Sequence, residues 1–82
     1  MLIYFERERN HFYDVYNTET IENIYNDSGV LCIKTNSKMT YDAITFATEE
    51  QAIQAIRDII DAYNQKRDTI GISVPVIKSK EK

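Results

Sequence analysis

The amino-acid sequence predicts an α+β fold, in which an antiparallel sheet of four or five strands carries one long amphipathic helix, about residues 48–66, packed on one face. Three observations predict it. Apolar residues recur at spacings of three and four through Thr48 to Lys66. Short runs rich in β-branched and aromatic residues alternate with polar ones from Leu2 to Ala47. Clusters of turn formers, above all Asn26, Asp27, Ser28 and Gly29, separate those runs at strand-length intervals.

The helix is marked at both ends. Thr48 and Gln51 form a capping box, in which the Thr hydroxyl accepts from the Gln51 N–H and the Gln side chain reaches back to the Thr48 N–H. Glu49 and Glu50 suit the positive end of the helix dipole, and Lys66 and Arg67 suit the negative end. Ala52, Ile53, Ile56, Ile59, Ile60 and Tyr63 define the face expected to be buried, whereas Gln54, Arg57, Asp58, Asp61 and Gln65 face water.

Leu2 to Tyr16 holds two apolar runs joined by Arg7, Glu8, Arg9 and Asn10, which suggests a hairpin; one long bent strand is the alternative. Asn17 to Asn26 fits a short helix or a strand. The strand is preferred, because the turn at Asn26 to Gly29 leads directly into Val30 to Thr35 and a hairpin accounts for both. In Met39 to Ala47 the parities of Tyr41 and Ile44 differ, so either both faces are apolar or a bulge near Asp42 and Ala43 shifts the register.

One domain over residues 1–68 is expected, followed by a tail over 69–82. Within the tail, Ile70, Ile72, Val74 and Val76 alternate like a strand, Pro75 confines that strand to an edge of its own sheet or of another chain's, and a disordered basic end follows. A helix of the stated length spans roughly 28 Å, and strands of six or seven residues span roughly 20–24 Å, so the two can be superposed diagonally. The pattern of a strand ending in Phe46, the Thr48 cap, the Glu pair and a helix from Ala52 resembles short uncharacterised bacterial and bacteriophage proteins with an antiparallel sheet followed by one helix. The resemblance covers about residues 19–66 and carries over no catalytic residue.

Composition narrows the function. With 82 residues, 43% hydrophobic and 28% charged, the chain is an ordinary small globular domain whose own core gives limited stability. A single Cys allows no intramolecular disulfide, and neither a basic, apolar leader nor a membrane span is legible, so a cytoplasmic, non-membrane protein is expected. Residues 1–65 carry 11 acidic against 5 basic residues, a net of −6, and residues 66–82 carry a net of +3. An acidic body repels a phosphate backbone, so no nucleic-acid partner is expected.

Catalytic, cofactor-binding and metal-ligating residues are absent from the reading. His11 stands alone in a polar turn, Cys32 sits in an apolar strand, and the isolated Gly29 and Gly71 build no phosphate-cradling loop. The protein is expected not to be an enzyme. Seven of the nine aromatic residues lie in the strand region, and one helix cannot cover both faces of a sheet. Tyrosine favours strands and tolerates half-exposure, but it is also enriched at interfaces. The reading is a protein-interaction module that binds itself, as a homodimer, or a protein partner, through a tyrosine-rich sheet face or a sheet edge. Tyr4, Tyr13, Tyr16 and Tyr25 are the anchor candidates. The alternative is an acidic inhibitor of the mobile-element or phage type, with Glu6, Glu8, Asp14, Glu19 and Glu22 imitating nucleic-acid charge. A small-molecule binder ranks third.

Overall fold

A computed structural model describes residues 1–7 and 12–75, the side chains of Phe12 and Tyr13 excepted. His11 and the connection after Arg7 lie outside the described residues, as does the basic end beyond Pro75. The chain forms two three-stranded sheets and one helix. Strand β1 (Leu2–Arg7) and β2 (Phe12–Asn17) pair antiparallel, with Ile3 opposite Tyr16 and Phe5 opposite Asp14. A short 3₁₀ turn, Thr18–Thr20, begins at Asn17, whose Oδ1 accepts from the Glu19 N–H at 3.0 Å.

Strand β3 (Ile21–Asp27) then pairs with β4 (Val30–Thr35) through a two-residue turn. Ser28 and Gly29 both take positive φ, 52° and 95°, the geometry that matches the twist of paired strands, and Asn26 Oδ1 accepts from the Gly29 N–H at 2.8 Å. Strand β5 is shorter than Met39 to Ala47, occupying only Asp42–Thr45 against β4. The register shift lies in β3, between Ile21 and Asn23.

The helix α1 (Glu49–Asn64) carries the Thr48 and Gln51 capping box. Its end differs from the expected one: Gln65 is the cap, and Lys66 turns into the left-handed region at φ 59°. The Arg67 and Lys66 N–H groups bond back to the carbonyls of Ala62 and Tyr63, each at 3.1 Å, which closes the helix as a Schellman motif with Lys where Gly is usual. Lys66→Gly is therefore expected to raise stability by about 1 kcal/mol, seen as a higher denaturation midpoint at unchanged slope.

Strand β6 (Thr69–Val74) decides the architecture. It runs parallel to β1, Leu2 opposite Thr69 and Phe5 opposite Ile72, so that one sheet has the order β2-β1-β6 and the other β3-β4-β5. The expected single sheet of four or five antiparallel strands is thus replaced by a mixed sheet and an antiparallel one. The reason is the amount of apolar surface. β1 and β6 turn Ile3, Phe5, Ile70, Ile72 and Val74 inward while β4 and β5 turn Leu31, Ile33 and Ile44 inward, and all are buried in one cluster. One helix cannot cover that much alone; two sheets and the helix share one core instead.

The helix face is corrected as well. Its buried residues are Ala52, Ala55, Ile59 and Ala62, whereas Ile60 and Tyr63 are 52% and 62% exposed. Two apolar stripes run along α1, one residue apart, and the stripe of small residues faces inward because it lets the helix lie close to the strands. α1 packs against β6 on one side and against β3 and β4 on the other. Across the molecule, β2 and β5 are joined by the Tyr16 hydroxyl, which donates to Asp42 Oδ2 at 3.0 Å.

Candidate interaction surfaces

The three anchor candidates whose side chains are described, Tyr4, Tyr16 and Tyr25, do not share one surface. Tyr4 lies half-buried on the outer face of the first sheet, opposite Val15 on β2 and Gly71 on β6. Tyr13 sits opposite Glu6, its side chain outside the described set. Tyr16 shares the inward face with Ile3 and stands edge-on to Phe5, ring centres 5.8 Å apart. Tyr25 lies on the outer face of the other sheet, 41% exposed and edge-on to Tyr41 at 5.4 Å, whose hydroxyl accepts from Asn23 Nδ2 at 3.0 Å. Among the described tyrosine side chains, only Tyr25 and Tyr41 meet.

Tyr16 belongs instead to a polar seam. Asp42 accepts from Tyr16 and from Lys38 Nζ, at 3.0 and 3.1 Å to its two oxygens, and Arg7 closes on Asp14 at 2.9 Å beside it. The Lys38 bond holds the Asp42 carboxyl below its usual range, against the opposing effect of partial burial, and the Tyr16 bond adds to it. Burial and then the Asp42 bond push the Tyr16 hydroxyl far above its ordinary value, so it stays a donor. A cleft of about 460 Å³ opens here, lined by Arg7, Asp14, Tyr16, Lys38 and Asp42 among others. Every charge in it already has its opposite, so the seam fastens β2 to β5 and leaves no charge for a ligand.

One edge with no described strand beside it is the outer edge of β6. In the parallel ladder the Leu2 N–H bonds the Asp68 carbonyl at 2.8 Å. Alternation then points the N–H and C=O groups of Ile70, Ile72 and Val74 towards β1 and those of Thr69, Gly71 and Ser73 away from it. No described strand lies on that side, and Thr69, Gly71 and Ser73 are exposed. Gly71 needs neither a positive φ nor room, since a Cβ there would meet nothing within 4 Å. A glycine inside a strand weakens it and often marks the close approach of another backbone.

The polar side of α1 forms a wall beside this edge. Gln51, Gln54 and Asp58 face Ile72, Ser73 and Pro75 across a groove of about 250 Å³, and Asp58, Asp61 and Gln65 face Ile70 and Gly71 across one of about 300 Å³. Asp58 Oδ1 accepts from Gln54 Nε2 at 2.8 Å. Neither Asp58 nor Asp61 is paired with a cation among the described residues. Their i,i+3 spacing was legible in the sequence, but that they overlook a strand edge follows only from the stripe that α1 buries.

Among the described residues no group of three or more His, Cys, Asp and Glu is placed to hold a metal ion, and no helix is long and apolar enough to cross a membrane. Comparison with protein-family models, with curated proteins and with solved structures finds no match to this chain. The residues suggested for charge imitation are partly neutralised: Asp14 is bound by Arg7 and Glu22 by Lys34, each at 2.9 Å.

Proposed function

We propose that this protein is a small, non-catalytic, cytoplasmic protein-interaction module that assembles by adding a strand to the free edge of β6, with a second copy of itself as the first partner. The observation that carries this reading is the row of outward N–H and C=O groups at Thr69, Gly71 and Ser73, bordered by a groove under α1. An open edge is a template for another strand, and natural proteins that do not use one usually blunt it. Here the edge strand carries no Lys, and the only Pro near it follows the last residue of the strand. Tyr16 turns inward to the polar seam, while Tyr4 and Tyr25 lie on the outer faces of different sheets.

Light scattering after gel filtration tests the reading. The wild-type chain is expected at twice its 9.6 kDa mass. Gly71→Pro and Ser73→Pro each remove an outward donor that β1 does not use, so both variants should keep the helical circular dichroism and run as monomers. A dimer that survives both substitutions would remove strand addition at β6 as the mode of assembly.

A further inference from the structure

We infer that α1 carries a further contact surface, the stripe Ile53, Ile56, Ile60 and Tyr63, and that its occupant is the same stripe of a second copy, packed antiparallel. This contact goes beyond the strand addition proposed at β6 and does not depend on it.

The fold leaves the stripe unused. α1 buries Ala52, Ala55, Ile59 and Ala62 against the strands, while Ile53 and Ile56 are half-buried and Ile60 and Tyr63 are exposed. Steps of three, four and three keep these four side chains in one row about 15 Å long. That is the spacing of a coiled-coil seam, by which helices pack on one another. The row lies on the β3 flank of α1. Glu49, one turn before Ile53 and two before Ile56 on the same line, accepts from Asn26 Nδ2 on β3 at 3.1 Å. Gln51, Gln54 and Asp58 border β6 on the opposite flank, so the stripe and the β6 edge can be occupied at once.

Charge sets the occupant and its direction. Glu49 and Glu50 stand at one end of the stripe, and Lys66 and Arg67 at the other, with Asp68 the next residue. Neither the two Glu nor the two cations form an ion pair among the described residues. An antiparallel copy, with the twofold axis midway between Ile56 and Ile60, sets Ile53 opposite the partner's Tyr63 and Ile56 opposite the partner's Ile60. The same register brings Glu49 to the level of the partner's Arg67 and Glu50 to the level of the partner's Lys66, and the helix dipoles oppose each other. A parallel copy would set Glu against Glu and cation against cation. The stripe matches itself only when inverted, as a twofold contact between identical chains requires. Four side chains a copy fall well short of the roughly 20–30 residues a side of a stable interface. The contact is therefore a weak one, expected at chain concentrations of about 0.1–1 mM.

Sedimentation equilibrium of full-length chains tests this. Gly71→Pro, with its β6 edge blocked, should pass from monomer at about 10 µM to dimer at about 1 mM. Adding Ile60→Glu should hold that chain monomeric throughout, with unchanged helical circular dichroism. In the otherwise wild-type chain, Ile60→Glu should cap the mass at the strand-added dimer, whereas the wild type passes beyond it; this comparison serves if Gly71→Pro does not fold. Orientation is read from disulfides in a Cys32→Ala background. Ile53→Cys and Tyr63→Cys chains mixed at the higher concentration should oxidise to a mixed dimer at least about tenfold faster than either alone, since only the mixture brings the two Cα atoms within the roughly 7 Å that a disulfide spans.

A folded Gly71→Pro chain that stays monomeric at the higher concentration overturns helix pairing and leaves strand addition standing. Association that Ile60→Glu does not reduce overturns helix pairing as well, and equal oxidation rates for the mixture and the single variants overturn the antiparallel register. If Gly71→Pro is still dimeric at the lower concentration and Ile60→Glu makes it monomeric, helix pairing is supported and strand addition fails.

Discussion

Phe5→Ala is expected to lower the unfolding free energy by about 3–5 kcal/mol, against the 5–15 kcal/mol that natural domains typically have. Phe5 is fully buried in β1, the central strand of its sheet, with Asp14 opposite on β2 and Ile72 opposite on β6. Hydrogen bonds hold that strand on both sides, so the backbone has little freedom to collapse into the space left by the ring. The edge-on contact with Tyr16 goes too, and Tyr16 is the residue that reaches across to the other sheet. Urea titration followed by circular dichroism would show the loss as a lower midpoint at unchanged slope. A loss under about 1 kcal/mol, well below the cost of emptying a packed core, would mean that the two sheets do not close on Phe5.

Asp42→Ala is the second large effect, expected to cost about 2 kcal/mol, because it strands the half-buried Tyr16 hydroxyl and releases Lys38. Its pH dependence follows from the two groups. Asp42 has a folded-state pKa below its unfolded value, so its contribution is complete above the ordinary carboxylate range near 4 and is lost as pH falls through the lower folded value. Tyr16 has a folded-state pKa above its unfolded value, so its contribution is complete below about pH 10 and is lost as pH rises towards the folded value. Between about pH 5 and 9 both are intact. The gap in midpoint between wild type and Asp42→Ala should therefore be widest in that window and narrow below pH 4. Tyr16→Phe should flatten the alkaline decline only in part, since the Tyr25 hydroxyl is also raised, chiefly by the Cys32 thiol opposite it on β4. A gap that stays constant from pH 3 to pH 7 would show that the Asp42 carboxylate is not what holds the seam.

Some of this was legible in the residues and some was not, for reasons that differ by element. The helix start was readable because Thr48, Gln51 and the Glu pair act within one turn of each other. The helix face was readable only in part. Ala52 and Ile59 are buried as expected and Ile56 packs against the core. Ala55 and Ala62 look weak beside Ile60 and Tyr63 on any apolarity ranking, yet small side chains win where close approach is possible. Strand parity gave inward and outward sets for β1 and β4, but parity says nothing about partners. The pairing of β1 with β6 joins residues near opposite ends of the sequence, with no local signal to announce it. That is why one sheet was expected and two are present.

Where each tyrosine ring points was not legible for a related reason. Their abundance in strands is real, but where each ring points depends on which strand lies beside it, so Tyr16 turned inward while Tyr4 and Tyr25 went to opposite outer faces. Pro75 was more informative, since a residue that cannot donate fits beside an edge strand wherever the rest of the sheet goes. The acidic groove needed both pieces at once: the strand at the edge, and the helix rotated so that Asp58 and Asp61 overlook it.

The parallel pairing of β1 with β6 also sets the order in which the chain can fold. The β1–β2 and β3–β4 hairpins are local and can form early, on microsecond scales, but the first sheet stays two-stranded until nearly all of the chain has been made and α1 has brought Thr69–Val74 back. Loop closure over that distance must precede the contacts that reward it, which slows the final step. Until then β1 offers its own bare edge, and the backbone groups of Leu2, Tyr4 and Glu6 are open to any passing strand. Refolding yield should consequently fall as chain concentration rises, with β1 rather than β6 as the place where the first errors are made.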